Sequence, residues 1–233
     1  MSLERSVTPV WPFPVLNIPL SLVERPFDPA AGFESASAAS GIAVPEDLSA
    51  AVPSRQAAFL AGRLCAADAL GHAGSVERGV ARDRTGIPVW PAGYHGSITH
   101  TGTLAGAVVA SGKSCRGVGL DFEDAGNPDA ASEIAELVLT DRDRRTIANI
   151  PACDMATATI LVFSLKESLY KAICPFLEVD TGFEDAELIR AEDGGAGLRL
   201  RRTLGPALPQ GLELTGVYAL SGDLLIRTLV LLD

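Results

Sequence analysis

Apolar residues first recur at helical spacing between positions 54 and 71, where Leu60, Leu64, Ala67 and Leu70 form one stripe. Ser54 is placed to cap this helix and Gly71 to stop it. From Val80 to Glu123 the period shortens to two, predicting strands over 87–90, 96–101, 104–110 and 116–123. The last is the clearest. Val118, Leu120 and Phe122 alternate with Gly119, Asp121 and Glu123, so a strand buries the first set and carries both carboxylates on the other face. Helical spacing returns over 130–139, then in a helix opened by Thr140 with Asp143 three residues on, the order of a capping box. A longer helix is predicted over 151–174, ended by Pro175, followed by strands over 198–203, 212–219 and 224–231 in an antiparallel meander. The stretch 1–53 is proline-rich and reads as an irregular lead-in with one short strand over 15–22.

Helix followed by strands, twice over, predicts an α+β (α/β) chain of two halves, 1–112 and 113–233, meeting near residues 111–116. The 233 residues are 47% hydrophobic and 21% charged, ordinary for a globular protein. No apolar run reaches the roughly 20 residues of a membrane helix, and no basic-then-apolar leader opens the chain, so a cytoplasmic protein without a transmembrane segment is expected. Cys65, Cys115, Cys153 and Cys174 form no C-x-x-C pair and read as buried thiols rather than zinc ligands or disulfides. A net charge of −10 excludes nonspecific nucleic-acid binding, which needs a basic surface to release phosphate counterions.

Lysine is scarce. Only Lys113, Lys166 and Lys171 occur against sixteen arginines, and two of the three lie in Phe163-Ser164-Leu165-Lys166-Glu167-Ser168-Leu169-Tyr170-Lys171-Ala172. On a helix Glu167 and Lys171 share a face one turn apart, either as a surface ion pair or as two groups addressing one ligand. Brought against the strand end carrying Asp121 and Glu123, Glu167 completes a set of three hard oxygen donors with no His or Cys among them, which suits magnesium better than zinc. Lys171 is then placed to neutralise phosphate charge or protonate a departing oxygen. Arg55, Phe59 and Arg63 fall along one side of the first helix, as a solvated face or an anion-binding edge. His100 stands between Thr99 and Thr101, which leave room for an anion contact beside a purely structural role. Gly112-Lys113-Ser114 lacks the upstream glycine of a P-loop, and Ser168-x-x-Lys171 lacks the partner motifs of serine acylases.

Five stretches, in order across residues 55–175, resemble the signatures of the 4'-phosphopantetheinyl transferases, specifically the single-chain type related to enterobactin-synthase and surfactin-synthetase activating enzymes. They are Phe59-Leu60-Ala61-Gly62-Arg63, Pro88-Val89-Trp90-Pro91 with Gly93, Gly96-Ser97-Ile98-Thr99-His100, Val118-Gly119-Leu120-Asp121-Phe122-Glu123, and the stretch from Phe163 to Ala172. The resemblance implies two similar α/β halves related by a pseudo-twofold, with the active site between them. It implies magnesium-dependent transfer of the phosphopantetheine arm of coenzyme A to a serine of an acyl or peptidyl carrier protein, with release of 3',5'-ADP, by a monomer acting in secondary metabolism such as siderophore biosynthesis. Asp121, Glu123 and Glu167 would hold the magnesium, with Glu167 also activating the carrier serine. Lys171 would act on the leaving phosphate. Arg55, Arg63, Thr99 and His100 would bind the nucleotide phosphates, with Lys166 adding charge to the same cleft. Thr99 and Thr101 stand where the family writes serine, and Ile87 stands where many relatives carry a basic residue. The alternatives carried beside this reading are a noncatalytic coenzyme A or nucleotide-phosphate binder and a metal-dependent phosphohydrolase.

Overall fold

A computed structural model describes residues 11–31, 42, 45–126, 128–148, 150, 153–222 and 224–233. The expected helix start at 151 and 152 and much of the lead-in lie outside them. The chain divides into two compact units, one containing Ile18–Ser114, the other Pro12–Asn17 and Cys115–Asp233.

In the first unit β1 (Leu20–Pro26), α1 (Glu46–Ser49) and α2 (Pro53–His72) precede a small hairpin, β2 (Ala81–Arg82) with β3 (Pro88–Val89). Strands β4 (Tyr94–Thr101) and β5 (Leu104–Ser111) follow, giving a three-stranded antiparallel sheet in the order β1-β5-β4. The α2 helix packs on this sheet through Ala61, Cys65, Ala69 and Leu70, against Val23, Ala107 and Val109. Small residues on both sides let the backbones approach, and a side chain at Gly62 would strike Ile98. Two expectations are corrected here. The helix is entered from Val52 with Pro53 in the first turn, not capped by Ser54, because a proline's fixed φ suits that turn and its missing N–H is not needed there. The lead-in strand runs over Leu20–Pro26 rather than 15–22, paired residue by residue with β5 and ending on a proline that needs no ladder donor there.

The second unit holds β6 (Gly117–Asp124), α3 (Pro128–Val138), α4 (Asp141–Ile147) and α5 (Met155–Ile173), then β7 (Ala186–Glu192), β8 (Gly195–Leu200), β9 (Glu213–Leu220) and β10 (Leu225–Leu232). The strands form one antiparallel sheet in the order β6-β10-β9-β8-β7. The expected capping box is present: Asp143 N–H donates to Thr140 Oγ1, and Thr140 N–H to Asp143 Oδ2. On α5 Asp154 caps the first turn through Thr157 N–H, and Cys174–Phe176 closes the other end as a 3-10 turn at Pro175. Leu161, Leu165 and Leu169 of α5 bury against Leu188, Leu198 and Val230 of the sheet. The strand β7 was not foreseen, since Ala-Glu-Leu-Ile-Arg-Ala-Glu favours a helix by propensity. Its pairing with β8 across the left-handed Asp193-Gly194 turn decides otherwise. All four cysteines are free thiols. Among the described residues no helix is long and apolar enough to cross a membrane.

Candidate functional site

The face of β6 that carries Gly117, Gly119, Asp121 and Glu123 is covered up to Asp121, and only Glu123 at its end is partly exposed. Every residue from Gly117 to Phe122 is buried. The α5 helix lies directly on that face, where a side chain at Gly117 or Gly119 would collide with the carbonyls of Ala172 and Ser168. Two glycines on alternate positions therefore seat the helix backbone on the strand and bring its side chains to Asp121. Lys171 Nζ donates to Asp121 Oδ1 at 2.6 Å and to the Leu120 carbonyl at 3.2 Å. Ser164 Oγ lies 2.8 Å from Asp121 Oδ2.

Electrostatics mark the place. Burial first, then the negative charge of Asp121, pushes the Glu123 carboxyl up to about 7, with Lys171 opposing and Glu167 adding to the rise. Burial also raises Glu167, with Lys171 lowering it and Asp121 raising it. Two buried carboxyls raised by the charge of a third acid mark a site short of positive charge, the condition a divalent cation relieves. Among the described residues, however, no three His, Cys, Asp or Glu side chains already stand as an ion cage. The Lys171 ammonium occupies Asp121 Oδ1 at 2.6 Å. The donor set, all hard oxygens, fits magnesium in chemistry, and Lys171 supplies the positive charge at Asp121 as the chain stands.

Lys166 is tied into the protein. It is 3% exposed, and its three N–H donors go to Val138 O at 2.7 Å, Asp143 Oδ2 at 2.7 Å and Phe183 O at 2.9 Å. One residue before Glu167, it points around the helix into the junction with α4. Its ammonium therefore holds the N-terminus of α4 in place. Asp143, itself fully buried, completes that knot by accepting Leu188 N–H at 2.6 Å. Lys166, Glu167, Leu169, Tyr170, Ile173 and Phe183 line a mostly apolar cavity of about 270 Å³.

In the first unit Arg63 is 7% exposed, with its guanidinium 5.0 Å over the Phe59 ring and its Nη1 buried without a partner. Burial, then the charge of Arg82, pulls it down to about 10. Arg82 was missed. It lies across the β2–β3 ladder from Pro88, one residue past Ile87, and both its bonds of 2.6 and 2.7 Å go to the Asp47 carboxylate. The sequence signal was the Asp83-Arg84-Thr85-Gly86 turn, which folds the hairpin back. Arg55 is exposed and, with Arg82, lowers Asp47. Thr99 is buried, whereas His100 is exposed on the opposite face of β4. His100 shares its face with Ile98, which packs on Gly62 of α2, so the histidine and the α2 arginines belong to one side of the sheet and Thr99 to the other.

Residues 44–110 match the 4'-phosphopantetheinyl transferase N-terminal domain, and residues 117–221 match the 4'-phosphopantetheinyl transferase superfamily. The chain is 32% identical over 178 residues to 4'-phosphopantetheinyl transferase Npt of Nocardia iowensis, covering 71% of this chain and 77% of that protein. It is 36% identical over 159 residues to 4'-phosphopantetheinyl transferase Svp of Streptomyces mobaraensis, covering 67% of this chain and 62% of that protein. Enterobactin synthase component D of Escherichia coli (strain K12) is 36% identical over 137 residues, 58% of this chain and 62% of that protein. The match thus spans about three fifths of the length of the latter two relatives.

Proposed function

The chain belongs to the 4'-phosphopantetheinyl transferase superfamily, and we propose that it transfers the 4'-phosphopantetheine moiety of coenzyme A to a serine of an apo acyl or peptidyl carrier protein, releasing 3',5'-ADP. The observation that carries this reading is the β6–α5 contact, where Lys171 sits on Asp121 beside two carboxyls, Glu123 and Glu167, that burial and the charge of Asp121 hold high. The residues that would hold magnesium are Asp121, Glu123 and Glu167. Bound there, the ion neutralises pyrophosphate charge.

The chain's own residues account for the proton and the leaving group. The carrier serine oxygen forms a bond to the pantetheine-side phosphorus as the pyrophosphate P–O bond breaks. Glu167, with its affinity for protons raised, takes the serine proton. Lys171 meets the departing phosphate of 3',5'-ADP with its charge or its proton. Arg55, Arg63, Arg82 and His100 bind the nucleotide phosphates, Arg63 with a guanidinium nitrogen that has no other partner. The apolar cavity next to Glu167 suits the pantetheine arm. A long helix on an antiparallel sheet in each unit supports the reading of two related halves with pseudo-twofold symmetry. Likeness to enterobactin synthase component D favours a carrier protein of secondary metabolism, siderophore assembly included, and four free thiols suit a cytoplasmic setting.

The test is intact mass. Apo carrier protein incubated with coenzyme A, magnesium and the enzyme gains one phosphopantetheine group. Release of phosphopantetheine to water, or coenzyme A binding with no gain across a panel of carriers, would overturn the reading in favour of a hydrolase or a binding protein.

A further inference from the structure

Three buried hydroxyls form a chain that ends on Asp121. Ser164, Ser168 and Thr228 are each fully buried and Asp121 is 4% exposed. Ser168 Oγ lies 2.8 Å from Thr228 Oγ1, Thr228 Oγ1 lies 2.9 Å from Ser164 Oγ, and Ser164 Oγ lies 2.8 Å from Asp121 Oδ2. Ser164 donates its single proton to Asp121, since a carboxylate only accepts. Thr228 Oγ1 donates to Ser164, where the hydroxyl and the carbonyl are both 2.9 Å away, and Ser168 Oγ has Thr228 Oγ1 at 2.8 Å and the Thr228 carbonyl at 3.1 Å as acceptors. Three elements build the chain: Thr228 is the direct cross-strand partner of Asp121 on β10, and Ser164 and Ser168 lie one turn apart on α5 where the glycines of β6 let it close in.

A helix packed on a sheet is stably filled by alanine and valine, and fully buried hydroxyls cost stability unless all are satisfied. Here every one is satisfied, and the string terminates on one oxygen of a single carboxylate while Lys171 takes the other. We infer that Ser164 and Thr228 are positioning residues: they commit Asp121 Oδ2 to the protein, so that Oδ1, held by Lys171 as the chain stands, is the oxygen left for a metal ion. The inference rests on the proposed reading of Asp121 as a metal ligand.

Metal uptake tests it without relying on turnover. Mn²⁺ binding followed by electron paramagnetic resonance, with and without coenzyme A, is compared for the wild type, Ser164→Ala, Thr228→Val and Thr228→Ser, with the melting temperature of each recorded. Loss of a group that orients a metal ligand costs about 10- to 100-fold in metal affinity, so Ser164→Ala and Thr228→Val should weaken Mn²⁺ about tenfold. Thr228→Ser, which keeps the hydroxyl, should bind as the wild type does. In turnover the same variants should need more Mg²⁺ for half-maximal rate, with most of kcat restored at saturating Mg²⁺. If Ser164→Ala does not fold, the isosteric Thr228→Val against Thr228→Ser carries the comparison. Folded Thr228→Val and Ser164→Ala proteins that bind Mn²⁺ like the wild type would overturn this inference alone. A wild type that takes up no Mn²⁺ overturns the metal reading of Asp121 and this inference with it.

Discussion

At Glu123 burial and neighbouring charge act in the same direction, and the consequence is a stability that depends on pH. A carboxyl whose folded-state value, about 7, lies above the ordinary 4.5 binds protons more tightly when folded. Its contribution to stability is complete below the ordinary value and is lost as pH rises through about 7. Metal-free protein should therefore melt at progressively lower temperature between about pH 5 and pH 8. Glu123→Gln should flatten that slope in the presence of a chelator and lose the stabilisation that Mg²⁺ with coenzyme A gives the wild type, both read from melting curves. Glu167→Gln keeps the shape of the side chain while removing the carboxylate that the proposed function uses as base and ligand. It should lower kcat by about a hundredfold or more with an unchanged circular dichroism spectrum.

Among the elements, β6 shows how far pattern reading reaches and where it stops. Alternation along Val118-Gly119-Leu120-Asp121-Phe122-Glu123 is enough to predict the strand and which residues share a face. It does not reveal that α5 covers the carboxylate face as well, because burial of Asp121 depends on a helix forty residues later. The glycines at 117 and 119 were the available signal, since both lack a side chain on the face where the helix backbone lands. Gly119→Ala should cost about 2 kcal/mol or more in urea unfolding, the scale of an overpacked core, and remove activity by lifting α5 from Asp121. The β2–β3 hairpin teaches the same lesson. Ile87 left a gap in the expected phosphate contacts, and the residue facing that place, Arg82, becomes visible only when the strands pair. Arg82→Ala should raise KM for coenzyme A about tenfold, the worth of one charge-assisted bond, with kcat little changed. Lys166 and Lys171 looked alike in the sequence. A rotation of five helical positions sends one into a buried knot with Asp143 and the other to Asp121.

Over the whole molecule, a net charge of −10 must be reconciled with an anionic co-substrate and, on the proposed function, a carrier protein that is itself acidic. On that function local arginines would serve the first, and long-range repulsion would slow the second encounter. Raising ionic strength from about 0.01 to about 0.15 M shortens the Debye length from about 30 to about 8 Å. It should accordingly increase kcat/KM for the carrier protein in a steady-state assay. What the sequence alone determined was the inventory and its grouping: the helices and strands that carry the motifs, the hard-oxygen donor set without His or Cys, and the family likeness, all of which follow from local periodicity and residue type. Only the tertiary structure decided which charges face one another. That Lys166 pairs with Asp143 and Lys171 with Asp121, that Thr99 is buried while His100 is exposed, and that Asp121 is held by a string of buried hydroxyls depend on the angle and closeness at which distant segments pack. Those distances are set by side chains, and by their absence at Gly117 and Gly119, on residues far apart in the chain.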